Sequence, residues 1–292
     1  MTTVGKTTTV SFCTTCMGRL EHLKQTLPKN IADNRDCEGV QFVVLNYGGE
    51  AETENWIKDN FQSEIADGTL KYISYPAAQH FNMAHAKNMA HRHADGNIVC
   101  NLDADQFTGK SFAHFLIDEM GVTPKLSKKV YMRHDPIDIV RFSPQQQSAL
   151  GKIALHKADF DAVRGYDESI VGWGDEDRNF CARLTAQRFL RPIPIETEYA
   201  QGILHSDEMR LENYSPEAQE ASRARLSRND NTKSTWVRIA GKGARFGRDI
   251  INAVRHAPMN VSGFGEGEVT INFSDIPTSL PSPPIKHSAL SH

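Results

Sequence analysis

The sequence predicts an α/β fold built on a mostly parallel sheet, and three observations predict it. Short β-rich apolar runs alternate with helix-period segments over the first hundred residues. The runs read as near-continuous apolar stretches, the pattern of strands buried on both faces. Two of them lead directly into polar loops, Asn46-Tyr47-Gly48-Gly49 and Asp103-Ala104-Asp105. Ligands of such sheets bind beyond the carboxyl ends of the strands, so these loops and the one after Cys13 are expected to share a crevice.

In chain order, residues 9–13 (TVSFC) read as a buried strand, 14–18 as a loop and 19–27 as a helix with Leu20, Leu23 and Leu27 on one face, ending before Pro28. Residues 40–45 form the second strand, 54–61 a helix, and 70–75 a third strand stopped by Pro76. A helix over 81–94 is ended by Asp95-Gly96, and 97–102 is the fourth strand. A helix is expected over 110–120, strands over 130–131 and 137–142, a further short apolar run over 151–155, and a helix over 157–163. Ser215-Pro216-Glu217 is a helix start running to about Leu226.

Bulk properties bound the class. A chain of 292 residues with 39% hydrophobic and 24% charged residues is an ordinary globular protein. With 33 basic and 36 acidic residues, net charge −3, it lacks the electrostatic footprint of a nucleic-acid binder. Five cysteines without framework spacing argue for a reducing compartment, and no run of about 18 apolar residues predicts a membrane span. The N-terminal segment lacks the apolar core of a signal peptide, so the expectation is a cytoplasmic protein. Three parts are expected: a catalytic-type domain over 1–232, a basic extension over 233–276, and a Pro/Ser-rich disordered tail over 277–292.

The stretch from Val171 to Leu184, VGWGDEDRNFCARL, organises the rest. It sets Trp173 between two glycines and follows them with Asp175, Glu176 and Asp177 before an apolar-periodic run. Its plain reading is a tight turn feeding a helix with an acidic first turn, which suits the positive end of the helix dipole. The second reading is a cluster of carboxylates at a ligand crevice, and it depends on Asp103-Ala104-Asp105 upstream. Hard carboxylate oxygens at a strand's carboxyl end suit Mg²⁺ or Mn²⁺ shared with substrate phosphates, although a D-x-D pair is common in ordinary loops.

Taken together, N-L-D-A-D, G-Y-D-E and G-W-G-D-E-D resemble the nucleotide-sugar glycosyltransferases of the GT-A fold, in particular the group of the β-1,4-galactosyltransferases. Their W-G-x-E-D motif is matched by Trp173 to Asp177. R-L-E-H-L from Arg19, F-V-V-L-N-Y-G-G from Phe42, F-N-M-A-H-A-K-N from Phe81 and L-H-S-D from Leu204 are similar to further family segments, in the same order across roughly residues 9–215. The resemblance implies a single Rossmann-like GT-A domain with a mixed, mostly parallel central sheet. It implies that Asp105 and His205 bind the metal, with Asp103 near the metal's waters or the donor's ribose. Arg19 and Phe81 would contact the nucleotide, and Trp173 and Gly174 would border sugar and acceptor. Glu176 would hold sugar hydroxyls, and Asp177 would be the general base. An acid at 177, where retaining relatives often carry Asn, favours inversion. The family places a Met three residues before the metal His, and Gly202 stands there in this chain.

The implied activity is transfer of a sugar from a nucleotide sugar, a UDP-sugar such as UDP-galactose or UDP-N-acetylhexosamine, to a glycan or lipid-linked acceptor, with Mn²⁺ or Mg²⁺, as in polysaccharide biosynthesis. Competing readings are a binding protein without catalysis and a sugar-phosphate nucleotidylyltransferase; the latter wants a Gly-rich loop where residues 13–18 hold one Gly. Cys13-Thr14-Thr15-Cys16 reads as two ordinary buried thiols rather than a redox or zinc pair. His80, His85, His91 and His93 read as solvated or hydrogen-bonded histidines. The basic segment 233–256 is either a solvated helix packed on the domain or an interfacial helix making peripheral contact with anionic lipid; Gly241, Gly243 and Gly247 argue against one long helix.

Overall fold

The computed structural model describes residues 9–121, 128–135, 142–228, 235–255 and 259–283. Its strands are β1 (Val10–Cys16), β2 (Val40–Tyr47), β3 (Leu70–Tyr75), β4 (Ile98–Asn101), β5 (Gln106–Phe107), β6 (Val130–Arg133), β7 (Ile153–His156), β8 (Arg191–Pro194), β9 (Gln201–Gly202) and β10 (Thr270–Ile271). Its helices are α1 (Leu20–Asp33), α2 (Ala51–Asn60), α3 (Gln62–Ala66), α4 (Met83–Arg92), α5 (Phe112–Met120), α6 (Pro144–Gln147), α7 (Lys157–Ala162), α8 (Glu176–Arg188), α9 (Asp207–Leu211), α10 (Pro216–Arg228) and α11 (Thr235–Arg255).

Among the described residues, eight strands form one sheet in the order β10-β3-β2-β1-β4-β7-β6-β8, and β5 and β9 form a separate ribbon. Strands β3, β2, β1 and β4 are mutually parallel, β7 is antiparallel to β4 and β6, and β8 is parallel to β6. The sheet is therefore mixed, with its parallel half preceding the Asp103 loop. Along β2, Phe42 and Val44 enter one hydrophobic cluster while Val43 and Leu45 enter the other. A strand buried on both faces needs apolar residues at every position, which explains the unbroken run. Cys16 and Cys13 likewise belong to opposite clusters, so the C-x-x-C thiols point to opposite faces of the sheet and stay unpaired.

Several elements depart from expectation. Helix α1 continues through Pro28 to Asp33. Pro28 lies on the exposed face, while Leu23, Leu27 and Ile31 carry a buried stripe past it, and that packing outweighs one lost backbone hydrogen bond. The helix expected at 54–61 begins earlier, at Ala51, and gives way to a second short helix. The strand expected over 137–142 falls mostly outside the described residues. The strand β8 and the ribbon were not anticipated, because their short, Pro-containing or Gly-ended sequences carry no periodicity.

The segment after residue 232 does not extend away from the domain. Helix α11 is one helix despite its glycines. It packs on α8 through Phe246, the Arg178–Asp249 ion pair at 2.5 Å and a 3.0 Å bond from Gln187 to the Ala253 carbonyl. No helix among the described residues is long and apolar enough to cross a membrane.

Residues 259–283 then run back across α4 as a strap. The Arg92 guanidinium donates to the carbonyls of Phe264, Gly265, Leu280 and Pro281 at 2.6–3.0 Å. The Phe264 ring is fully buried between Arg92 and Arg164, 5.3 and 5.4 Å from the two guanidinium carbons. Strand β10 pairs with β3 and covers that edge of the sheet. The first part of the Pro/Ser-rich stretch, 277–283, is thus bonded to the domain. Phe264→Ala is expected to cost about 3–5 kcal/mol of stability, read from urea denaturation, because its pocket is closed on all sides.

Candidate active site

The crevice at the carboxyl ends of β1, β2 and β4 is built from two groups of charged residues. The first begins where β4 stops. Asn101 Nδ2 and Gln106 Nε2 donate to the two Asp103 oxygens at 2.9 and 3.0 Å, so Asp103 is held by its own loop. A side chain at Gly151 would place its Cβ 2.3 Å from Asp103 Oδ2, so that close approach requires glycine. Burial raises the Asp103 pKa against the pull of Lys87, and Asp105 adds to the rise. The ribbon β5–β9 brings His205 to the same place: Ile203 N donates to the Asp105 carbonyl at 2.8 Å. The fully buried Lys152 donates to the carbonyls of Phe107 and Tyr199 and fastens the ribbon from behind.

His205 Nε2 lies 2.9 Å from Asp105 Oδ2, and His205 Nδ1 donates to the Ser206 carbonyl at 3.3 Å. With Nδ1 protonated, the Nε2 lone pair faces a carboxylate oxygen, and two acceptors at that distance need a proton or a cation between them. Two adjacent ligands of an octahedral ion with bonds of about 2.1 Å stand about 3 Å apart. A His whose other nitrogen bonds a carbonyl is also the usual form of a metal ligand. The pair therefore fits a divalent ion. Among the described residues no group of three or more His, Cys, Asp or Glu side chains is arranged to hold a metal. The other coordination positions fall to water and ligand phosphates, as is usual for Mg²⁺-type ions. At Gly202 a Cβ would meet Ser148 Oγ at 2.3 Å, so the position filled by Met in the resembling family admits no side chain here.

The second group is the turn before α8. Gly172 and Gly174 adopt φ of +79° and +109°, and a Cβ at Gly172 would strike the Ala218 carbonyl and Ser222 Oγ at 2.5 Å. The turn reverses so tightly that Glu176 Oε2 accepts from the backbone N–H groups of Gly174 and Asp175 at 2.9 and 3.0 Å. Its other oxygen is 3.4 Å from Lys87 Nζ. Glu176, expected to hold sugar hydroxyls, thus has both oxygens engaged within the protein. Asp175 keeps its structural reading: it pairs with Arg178 at 2.8 Å and Arg225 at 3.0 Å, tying α8 to α10. Trp173 N donates to Ser222 Oγ at 2.8 Å, and the Arg210 guanidinium lies over its indole at 4.4 Å.

Lys87 is the residue that the motifs did not reveal. It projects from α4, is 1% exposed, and donates to Asp177 Oδ1 at 2.8 Å. Burial opposes its charge, but Asp177, Asp103 and Glu176 together hold its pKa well above the usual lysine range. Burial likewise opposes the charge of Glu176, yet Lys87 and the N–H groups of the turn keep its pKa lowered. Asp177 goes the other way. Burial, with Glu176 and Asp103 added, pushes its pKa up to about 7 against Lys87, while a third of its side chain stays exposed. The signal in the sequence was a lysine within the buried set Ala84, Ala86, Asn88, Met89 and Ala90; a cation there requires partners.

Of the remaining expected residues, Arg19 starts α1 and donates to the Met209 carbonyl; burial lowers its pKa, and Asp105 is the first charge to counter that. Phe81 packs edge-on to Tyr47 and Tyr214 at 5.7 and 5.5 Å, and its N–H donates to Asn213. The buried His91 and His93 bond the carbonyls of Lys87 and Met89 through Nδ1, and the half-buried His85 bonds the Tyr47 hydroxyl and the Glu266 carbonyl.

The family profile described as the N-terminal domain of galactosyltransferase matches residues 140–205, the span that ends at His205. No curated protein matches the chain in sequence. Among solved structures, the mannosyltransferase PcManGT from Pyrobaculum calidifontis, in complex with GDP-Man and Mn²⁺, superposes with a TM-score of 0.53 at 15% identity over 84% of this chain and 73% of that one. Drosophila β1,4-galactosyltransferase 7, with manganese, UDP-Gal and xylobiose, gives a TM-score of 0.46 at 15% identity over 78% and 82%. The chain has the GT-A glycosyltransferase fold, with a galactosyltransferase-type segment over 140–205.

Replacing Lys87 by Met should leave Glu176 and Asp177 without their cation and cost about 3–5 kcal/mol at pH 8. The carboxylates then gain protons as pH falls, so the penalty should shrink at pH 5. Urea denaturation at the two pH values measures it; an equal penalty at both would mean the loss is one of packing.

Proposed function

We propose that the protein is a metal-dependent glycosyltransferase that moves a sugar from a nucleotide sugar, foremost a UDP-sugar such as UDP-galactose or UDP-N-acetylhexosamine, to a hydroxyl of a glycan acceptor. The observation that carries this reading is the pairing of Asp105 with His205 at 2.9 Å, and the partly exposed Asp177 held by Lys87 supports it. The mannosyltransferase named above was solved in complex with GDP-Man and Mn²⁺, which supports a nucleotide-sugar donor and a divalent ion.

Asp177 takes the proton of the acceptor hydroxyl as it attacks the anomeric carbon. A base is most effective when its pKa lies near the working pH, and about 7 meets that condition. Lys87 holds Oδ1, which leaves the other oxygen for the hydroxyl. One carboxylate on the acceptor side gives direct displacement with inversion. Asp105 and His205 would hold Mn²⁺ or Mg²⁺, and when bound the ion neutralises charge on the leaving diphosphate. Arg19 and Phe81 border the nucleotide, Trp173 and Gly174 the sugar and acceptor, and Glu176 keeps the turn in shape. A lipid-linked acceptor, with peripheral membrane contact through 233–256, is the second acceptor reading, but the contacts of α11 with α8 are those of a structural helix.

Four measurements test the reading. A screen of UDP- and GDP-sugars with Mn²⁺ should find one donor that is hydrolysed and that, at 100 times its Kd, adds about 2.7 kcal/mol of stability. Transfer should rise with pH through about 7 and level off above it, because Asp177 acts deprotonated. Asp177→Asn should lower kcat by about 10²–10⁴-fold while donor binding persists; a variant with full transfer removes Asp177 as the base. His205→Ala should raise the Mn²⁺ concentration for half-activity by about 10–100-fold. An unchanged Mn²⁺ requirement would place the metal elsewhere.

A further inference from the structure

Tyr214 carries a buried hydroxyl that the scheme above does not use. It is 3% exposed, and its Oη has no hydrogen-bond partner among the described residues. Buried hydroxyls are normally bonded, and an unmade bond at such a position is the mark of a ligand group or an ordered water. Its surroundings point to a ligand. Tyr214 belongs to a small cluster with Leu211 and Ala218, over which Phe81, Met83 and Trp173 pack, and two of these are donor-side residues in the proposed function. The segment that carries it follows the metal-side His205, and it is anchored by Asn213, which donates to Met17 and accepts from Phe81 N.

The charges acting on the hydroxyl narrow the ligand. Glu176, Lys87 and Asp103 are the ionisable groups nearest in effect, and burial, followed by Glu176, raises the phenol pKa far above neutrality. The group is therefore a neutral O–H that both donates and accepts. Charges of both signs act on it, Glu176 and Asp103 against Lys87 and Arg210, and a neutral hydroxyl of this kind suits an uncharged polyol. Among the described residues the Tyr166 hydroxyl is also unbonded, but its ring is fully buried, stacked on Phe180 at 4.2 Å with Lys87 over its face, and it belongs to the core behind the site.

We infer that the Tyr214 hydroxyl hydrogen-bonds one hydroxyl of the sugar being transferred and so helps to select the donor. This rests on the function proposed above. The test compares wild type with Tyr214→Phe, using UDP-galactose, UDP-N-acetylglucosamine and GDP-mannose with Mn²⁺, and then singly deoxygenated analogues of the preferred donor. The variant keeps the ring, so its thermal midpoint should equal or exceed that of wild type. Its kcat/KM for transfer should fall about tenfold, the worth of one such bond. Its affinity for the nucleoside diphosphate without sugar should not change. One deoxygenated donor should be about tenfold poorer for wild type and no poorer than the parent donor for Tyr214→Phe. Wild-type kcat/KM in the variant overturns the inference while leaving the enzyme's function intact, and so does an equal loss of affinity for the bare nucleoside diphosphate. Absence of turnover by wild type on every donor overturns the parent reading and this one with it.

Discussion

A single buried ammonium holds the site together. Lys87 meets Asp177 and Glu176 directly and acts on Asp103, so three acidic residues from two distant parts of the chain share one cation. Without it, carboxylates of like sign would be forced together in a medium that screens them poorly. With it, two neighbouring carboxyls part company: Glu176 is lowered and serves the backbone of its own turn, whereas Asp177 is pushed up to about 7 and stays partly exposed. Adjacent acids with diverging pKa values are a familiar route to separate chemical tasks.

Much of the surrounding structure exists to keep that arrangement rigid. The turn at Gly165 lies against α4, where a Cβ would sit 2.2 Å from Asn88 Oδ1, and the buried Arg183 guanidinium bonds the Val163 and Gly165 carbonyls at 2.8 and 2.6 Å. Asn88 in turn bonds the Tyr166 carbonyl and Glu168, and Glu168 accepts from Gly265 in the strap. The strap is therefore joined to the helix that bears Lys87, and the carboxyl-terminal region is part of the same mechanical unit as the site. On the metal side, Lys152 supports the ribbon in the same manner, with burial lowering its pKa to about 7.

The strands of the parallel half were legible because each is buried on both faces and must be apolar throughout. The acidic turn was legible because tight turns need glycine and helix starts favour acids. Helix α1 was misjudged at its end, since Pro28 signals a stop locally while Ile31 and Asn30 are held by the core and by Gln106. The strap was not legible: its contacts run through backbone carbonyls to Arg92 and Arg164, and carbonyls leave no trace in residue identity. Glu176 shows the opposite problem, a side chain whose motif position suggested sugar binding and whose bonds turn inward.

By itself the sequence determined the order of strands and helices in the parallel half, the loops at the strand ends and the acidic and histidine residues available to the crevice, because periodicity and local turn chemistry are written in neighbouring residues. Only the tertiary structure decided which acids meet Lys87, that Glu176 turns inward, and that the Tyr214 hydroxyl is left without a partner among the described residues. Those outcomes depend on burial and on distances between residues about a hundred positions apart, and the pKa of a carboxyl or the pairing of a hydroxyl is set by that enclosure rather than by its place in a motif.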